Sequence, residues 1–292
     1  MGQRLMLMPK VNHYRVFADA PHGGKHVAIA SAAEPLTGAE MQQQARESGA
    51  PLTAFITALH GNEVWVRFFT PGKEKGDSDS GALVIAEYLQ RFSLVGDHLT
   101  VHAGASVLHV ERTPEGWGSR QEETHAGREI DPTLLLDALH LGAHALDPRY
   151  PVQACGADRH NIILPLRDSA DLDALRPDFD AVRHFNEHSG TNGVIACTFN
   201  SARASDVDFR FFAPRRGLSE DNAGSYTLAT LCGYLTAHRP QLREISATQG
   251  YGMHKPSRLH ARFARENETA TGIVVSGAVQ QDVKTVPLEV LA

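Results

Sequence analysis

The chain has 292 residues, about twice the commonest domain length, so two domains are the opening expectation. Its 42% hydrophobic and 21% charged residues exclude a disordered chain, a collagen-like fibre and a disulfide-stapled mini-protein. A net charge of −6, from 28 basic and 34 acidic residues, argues mildly against a nucleic-acid partner.

In chain order, Tyr14 to Ala18 and His26 to Ser31 read as strands joined by a turn at Pro21, Gly23 and Gly24. Thr37-Gly-Ala-Glu40 is a capping-box pattern that opens a helix through about Glu47. Thr53–Leu59 and Glu63–Thr70 read as a hairpin across His60-Gly61-Asn62. Ser80–Phe92 is apolar and rich in small residues, which suits a buried helix, and strands follow from Leu99 to about Glu123. Asp131-Pro132 then starts a second helix-forming region and the pattern restarts. Val152–Ala154 and Asn161–Leu166 read as strands, Leu172–Leu175 and Phe179–Glu187 as helices. Val194–Asn200 with Asp206–Phe212 form a strand pair, Ala223–Ala237 a second buried helix, and Ser257–Val283 antiparallel strands.

An internal repeat organises these elements. Arg67-Phe-Phe-Thr-Pro71 is echoed by Arg210-Phe-Phe-Ala-Pro214, 143 residues later, and Tyr88-Leu89 by Tyr234-Leu235, 146 residues later. Between them, each copy has a polar loop containing glycine and then an apolar helix, the second loop being three residues longer. The same order at half the chain length points to duplicated halves. The expected division is residues 1–128, with the terminal strand 279–292 returning to them, and residues 129–278.

Cys155, Cys197 and Cys232 are far apart and form no CxxC pair, which points to a reducing compartment. The apolar patch before Pro9 is too short for a signal peptide, and no run approaches ~20 apolar residues. A cytoplasmic protein with no membrane partner is expected. Sixteen histidines occur, but there is no HExxH, and pairs such as His22/His26 and His98/His102 lie across glycines or in strands. No metal site is expected.

A small polar loop feeding a buried helix presents backbone N–H groups and a positive dipole end. Two such helix starts facing a shared cleft would hold a carboxylate and stabilise the enolate left when an α-proton departs. An acid and a base, one from each half, would complete a proton transfer needing no cofactor.

At these residues the sequence resembles the PhzF-like family of phenazine-biosynthesis-type isomerases, within the diaminopimelate epimerase-like fold. The resemblance runs through Tyr14-Arg-Val-Phe17-Ala-Asp19-Ala-Pro21-His-Gly23-Gly24, the paired Arg-Phe-Phe motifs, Glu220-Asp221, Gln249-Gly250 and Met253-His-Lys-Pro256-Ser257. It implies an α+β fold of two pseudo-symmetric halves, each a mainly antiparallel sheet around a central helix. A cleft between the halves and a homodimer are also implied.

Several family positions differ. Leu52, in Pro51-Leu-Thr-Ala-Phe55, stands where the resemblance implies a catalytic glutamate, and a leucine cannot move protons. The Gly-His pair before the first helix is Asp79-Ser80, and Gly-Asn-Pro after the first turn is Gly24-Lys25-His26. Gly-Ser at the second helix is met by Gly224-Ser225 after a one-residue slip. Ser78-Asp-Ser-Gly81-Ala82 keeps the outline of diaminopimelate epimerase's Cys-Gly-Asn-Gly-Ala, with serine for the thiol. That excludes a two-thiol racemase mechanism.

The acid/base candidates are therefore Asp221 and Asp79, each in a loop before a central helix, with His26 in reserve. Both aspartates also fit the bland role of helix N-caps. Lys25 suits a substrate carboxylate. Ser78, Ser80, Gly81, Gly224 and Ser225 are expected to bind substrate oxygens, and by resemblance Thr53, Gln249 and Gly250 join them. The expected protein is a cofactor-independent isomerase or tautomerase of a small carboxylic or amino-acid-derived substrate in specialised metabolism. The alternatives are a catalytically silent small-molecule binder, a hydrolase or lyase on the same scaffold, and a homodimeric interaction module.

Overall fold

The computed structural model describes residues 10–31 and 35–282. The strands and helices run β1 (Lys10–Val16), β2 (Lys25–Ser31), α1 (Gly38–Glu47), β3 (Thr53–His60), β4 (Glu63–Phe69), β5 (Glu74–Lys75), α2 (Asp79–Arg91), β6 (His98–Ala103), β7 (Ser106–Thr113), β8 (Gly116–Arg120), β9 (Thr124–Glu129) and α3 (Thr133–Ala138). They continue as β10 (Gln153–Gly156), β11 (His160–Leu166), α4 (Ser169–Ala174), α5 (Phe179–Ser189), β12 (Val194–Thr198), β13 (Val207–Ala213), β14 (Leu218–Asp221), α6 (Ser225–His238), β15 (Glu244–Gln249), β16 (Ser257–Glu266), β17 (Thr269–Gly277) and β18 (Val279–Gln281).

Contacts divide the chain into two units. The first takes the described residues up to Val16, His26–Val110 and those from Val279 on; the second takes Phe17–Lys25 and Glu111–Ala278. The segment 111–128 and the strap Phe17–Lys25 thus belong to the second unit. Val279–Gln281 pairs with β1 in the first, and residues 283–292 of the expected returning strand lie outside the described residues.

In the first unit, β18, β1, β2, β3 and β4 lie side by side. β2 and β3 are parallel, so the chain needs a crossover, and α1 supplies it. The Thr37 side chain accepts from the Glu40 N–H while Glu40 Oε2 accepts from the Thr37 N–H at 2.7 Å, the expected capping box. Met41 and Ala45 on α1 then pack on Ala30, Phe55 and Phe69. β4 pairs with β6 in parallel, and the two-residue β5 pairs with the end of β4. Between β5 and β6 comes α2, which packs on β1, β3 and β18.

The second unit repeats this order: β11 and β12 parallel, β12 and β13 antiparallel, β13 and β15 parallel, with short β14 on β13. Its strands go further and close a ring, β9–β10–β11–β12–β13–β15–β16–β17 and back to β9. α6 packs on β9, β10, β11, β16 and β17 of that ring. Eleven of its 14 residues are buried, as only a helix surrounded on all sides can be. Its polar groups find partners inside: the Tyr234 O–H donates to the Pro151 carbonyl at 2.7 Å, and the Ala229 carbonyl accepts from Thr124 Oγ1 of β9 at 2.6 Å. Gly233 permits the approach, because a Cβ there would lie 2.7 Å from the His125 backbone nitrogen. Outside the ring, α3, α4 and α5 bury a second core that includes Leu135, Leu139, Ile162, Leu164, Val182 and Phe212. This is the diaminopimelate epimerase-like α+β fold.

Candidate active site

The site in the second unit is built from the Arg-Phe-Phe strand outward. Arg210 points from β13 to Glu220 on β14, donating through Nε and Nη2 at 2.9 Å each. Its Nη1 donates to the Leu172 and Leu175 carbonyls, and its guanidinium lies 5.0 Å from the centre of the Phe212 ring. Glu220 is thereby fixed. Successive side chains of a strand face opposite ways, so Asp221 points away from Arg210. Its carboxylate meets Lys25 Nζ at 3.0 Å from Oδ1 and 3.3 Å from Oδ2.

The start of α6 is shaped around that carboxylate. Gly224 is the N-cap residue and Ser225 the first helical one. A Cβ on Gly224 would lie 3.2 Å from Asp221 Oδ2 and 2.5 Å from Thr227 Oγ1, which explains the glycine. Gly224, having no side chain, makes no side-chain cap bond to α6, whose start carries the positive end of the helix dipole. Buried Gln249 ties the loop together: its Nε2 donates to the Asp221 carbonyl at 2.6 Å and its Oε1 accepts from the Gly224 N–H at 2.9 Å. Gly250 follows at φ +80°, where a Cβ would strike the Lys255 carbonyl oxygen at 2.3 Å. Asn222, which the sequence reading passed over, donates to the Gly24 carbonyl at 2.7 Å and so joins the loop to the residue before Lys25. The only available signal was its place directly after Glu220-Asp221. Two surface grooves of this unit, about 440 and 620 Å³, take in neither Lys25 nor Asp221.

The first unit carries the same device. Arg67 pairs with Glu74 through two 2.7 Å bonds and lies 5.1 Å from the Phe69 ring centre. Ser78 is the N-cap of α2, its Oγ accepting from the Gly81 N–H at 3.2 Å and lying 3.1 Å from Ser80 Oγ. Gly81 is pressed on Phe68, since a Cβ would come within 2.4 Å of the ring. The N-caps are thus Ser78 and Gly224, so neither Asp79 nor Asp221 has that role.

The two aspartates are not counterparts either. The helices start 146 residues apart, which matches Asp79 with Ser225 and Asp221 with Lys75. Asp79 is not in the loop before its helix but is its first residue, in the turn where the helix dipole favours an acidic side chain. The three extra residues of the second copy fall between Pro214 and Glu220, where the chain makes the 3₁₀ turn Pro214–Arg216.

The remaining candidates have bonds of their own. His26 Nε2 lies 2.8 Å from His13 Nδ1. Thr53 is fully buried, with its hydroxyl 2.9 Å from Ser48 Oγ. Leu52 is buried too, and its carbonyl accepts from the Ala28 N–H at 2.8 Å. Burial pushes the Cys155 thiol up to about 12 and raises Cys197 and Cys232 as well, so all three stay protonated at neutral pH. No described helix is long and apolar enough to cross a membrane. The structure therefore gathers Lys25, Asp221, Gly224, Ser225, Gln249 and Gly250 in the second unit, and Ser78, Asp79, Ser80 and Gly81 at the head of α2 in the first.

A family model described as phenazine biosynthesis-like protein (PhzC-PhzF) matches residues 14–76 and 121–281. The Escherichia coli K12 protein called uncharacterized isomerase YddE is 27% identical, the match covering 93% of this chain and 95% of the relative. The trans-2,3-dihydro-3-hydroxyanthranilate isomerase of Pseudomonas chlororaphis is 26% identical, covering 91% of this chain and 96% of the relative. Among solved structures, a Bacillus anthracis phenazine biosynthesis protein of the PhzF family superposes with a TM-score of 0.79 at 20% identity, covering 93% of this chain and 96% of that one. A probable proline racemase from Agrobacterium radiobacter superposes at 0.55 and 11% identity, covering 93% and 90%.

Proposed function

Because this chain belongs to the phenazine biosynthesis-like (PhzC-PhzF) family, we propose that it is an isomerase that moves a proton within a small carboxylic or amino-acid-derived substrate, without a cofactor. The relatives named as isomerases support the reaction class. The observation that carries the reading is the Lys25–Asp221 pair beside the start of α6, a helix that no side chain caps. An incoming substrate carboxylate competes for the Lys25 ammonium and for the opening amides of α6. Asp221, released, takes a proton from the neighbouring carbon as general base. The electron pair left behind delocalises into the carbonyl or carboxylate, whose growing negative charge the helix start stabilises. Return of the proton at another carbon completes the isomerisation.

Asp79, at the head of α2, is the proposed second acid/base group, and Ser78, Ser80 and Ser225 the proposed donors to substrate oxygens. His26, held by His13, stays in reserve. The proposal extends to a cytoplasmic location, read from the separated cysteines, to specialised metabolism, and to the homodimer that the family resemblance implies. Incubation with candidate carboxylic acids in D₂O tests the chemistry: deuterium enters the substrate of the wild type, and Asp221→Asn slows the exchange ~10²–10⁴-fold. Wash-in unaffected by Asp221→Asn refutes the assignment. A second reading, a small-molecule binder without proton chemistry, is favoured by buried Leu52 at the position of the family glutamate. It predicts saturable binding with no wash-in for any bound acid.

A further inference from the structure

Lys25 reaches Asp221 on a nine-residue strap, Phe17–Lys25, whose hold on the second unit is more elaborate than chain continuity requires. The Phe17 N–H donates to the Ala278 carbonyl at 2.9 Å, and its own carbonyl accepts from the Arg258 N–H at 2.8 Å. Phe17 sits at φ +65°, a conformation costly for a bulky residue. Further along, the N–H groups of Asp19 and Gly24 both donate to the Pro256 carbonyl at 3.1 Å. Gly23 lies so close that a Cβ would stand 2.1 Å from that oxygen.

The side-chain fastening is a cluster of three. Asp19 Oδ1 accepts from Arg258 Nε at 2.8 Å, and Asp19 Oδ2 accepts from the Tyr251 O–H at 2.7 Å and from Arg258 Nη2 at 3.3 Å. Tyr251 is gripped from another side by the Arg203 guanidinium, 4.4 Å from its ring centre. Arg203 is itself paired with Asp208 at 2.7 Å, and the Arg203 carbonyl accepts from Arg258 Nη2 at 3.1 Å. Burial raises the Asp19 carboxyl and the bonds from Arg258 and Tyr251 more than offset it, leaving it below the usual carboxylate range. Tyr251 is 36% exposed, so core burial does not explain it. Its directed bonds do. Moreover, Tyr251 directly follows Gln249-Gly250, and Gln249 holds Asp221 from the other direction.

We propose that Asp19, Tyr251 and Arg258 form a latch that positions Lys25 on Asp221, with Tyr251 as the positioning residue whose hydroxyl sets the strap. The latch touches neither Lys25 nor Asp221. It acts by fixing where the strap ends, while the turn that carries Tyr251 continues from the strand end that fixes Asp221. The inference rests on reading Lys25 and Asp221 as a working pair, but its test needs no substrate and so stands apart from whether the chain is an isomerase.

The test is competitive acylation of the intact protein with limiting acetic anhydride, followed by mass-spectrometric readout of each lysine, with exposed Lys73 of the first unit as internal reference. In the wild type Lys25 is labelled slowly relative to Lys73, and Asp221→Asn raises its labelling several-fold. Tyr251→Phe, which removes one oxygen and keeps the ring under Arg203, raises Lys25 labelling toward the Asp221→Asn level with circular dichroism unchanged. Asp19→Ala raises it at least as far. If Tyr251→Phe and Asp19→Ala fold and both leave Lys25 at its wild-type ratio while Asp221→Asn raises it, the latch is refuted. Should Asp19→Ala fail to fold, Tyr251→Phe decides alone. With a turned-over acid in hand, Tyr251→Phe raises KM several-fold while kcat holds, whereas a purely structural defect lowers active-enzyme concentration and leaves KM unmoved.

Discussion

The duplicated Arg-Phe-Phe motif offers an internal comparison of the same ion pair in two settings. Arg210 and Glu220 are 9% and 10% exposed, whereas Arg67 and Glu74 are 36% and 46% exposed. Both pairs are two-pronged, with bonds of 2.9 Å and 2.7 Å respectively. Replacing Glu220 by Gln leaves a buried guanidinium without its counter-charge, a change that costs about 3–5 kcal/mol. Replacing Glu74 by Gln leaves a guanidinium that water can reach, and the cost is about 0–1 kcal/mol. In the larger second unit 1 kcal/mol moves Tm by roughly 2–4 °C, so Glu220→Gln lowers its midpoint by roughly 6–20 °C; in the smaller first unit the same energy moves Tm by up to ~8 °C, which bounds the effect of Glu74→Gln. Differential scanning calorimetry on the two variants measures both, each unit's transition being fitted separately because two-unit chains need not unfold in one step. Equal shifts, or a larger one for Glu74→Gln, would refute the argument from burial.

Ser78→Ala removes the side-chain cap of α2 and should cost about 1 kcal/mol, read as a lowered denaturation midpoint with unchanged m-value. Gly224→Ala places a methyl group against Thr227 Oγ1 and Asp221 Oδ2 and should weaken binding of any carboxylate ligand more than it lowers Tm; calorimetric titration beside thermal melts separates the two. The three cysteines should resist Ellman's reagent in the native protein at neutral pH and react only in denaturant, since burial holds their thiols protonated and out of reach. Asp208 supplies an acid-side prediction. Burial raises its carboxyl, yet bonds from Thr248, Ser201, Ser205 and Ser169 prevail and hold it below the usual range. Its contribution is therefore complete above the ordinary carboxylate pKa and is lost as pH falls through the depressed one. Asp208→Asn should flatten the decline in stability below about pH 4, followed by denaturation at stepped pH.

Local rules made much of this fold legible. The capping box at Thr37 and Glu40 predicts where α1 starts, and the runs of apolar and small residues in α2 and α6 mark two buried helices before any sheet is placed. Elements set by long-range pairing were not legible. β14, Leu-Ser-Glu-Asp, has no buried residue and reads as loop; it is a strand because Asp221 lies opposite Phe211. β15 offers only Ile245 and Ala247 as apolar residues and is held by its parallel register to β13. The same limit governs the site. Asp221, Lys25 and Gln249 could be picked from motif positions, but the pairing of Asp221 with Lys25 crosses 196 residues and leaves no local trace. Asp79 and Asp221 both read as residues of a loop before a central helix, whereas the structure makes Asp79 the first residue of α2 and places Asp221 on β14, four residues before α6.

The ring of strands in the second unit also dictates when that unit can be finished during synthesis. Its closing contact sets Thr269 against His125, so β9 leaves the ribosome 144 residues before the partner that completes the circuit. At ~5–20 residues per second, β9 waits roughly 7–30 s with one edge unpaired. Over the last part of that interval, once α6 has been made, the helix has no closed sheet around it and exposes the apolar surface that the finished ring conceals. Nascent chains stalled between α6 and β17 should therefore be the ones most dependent on chaperones, and release of that dependence should coincide with the emergence of β17.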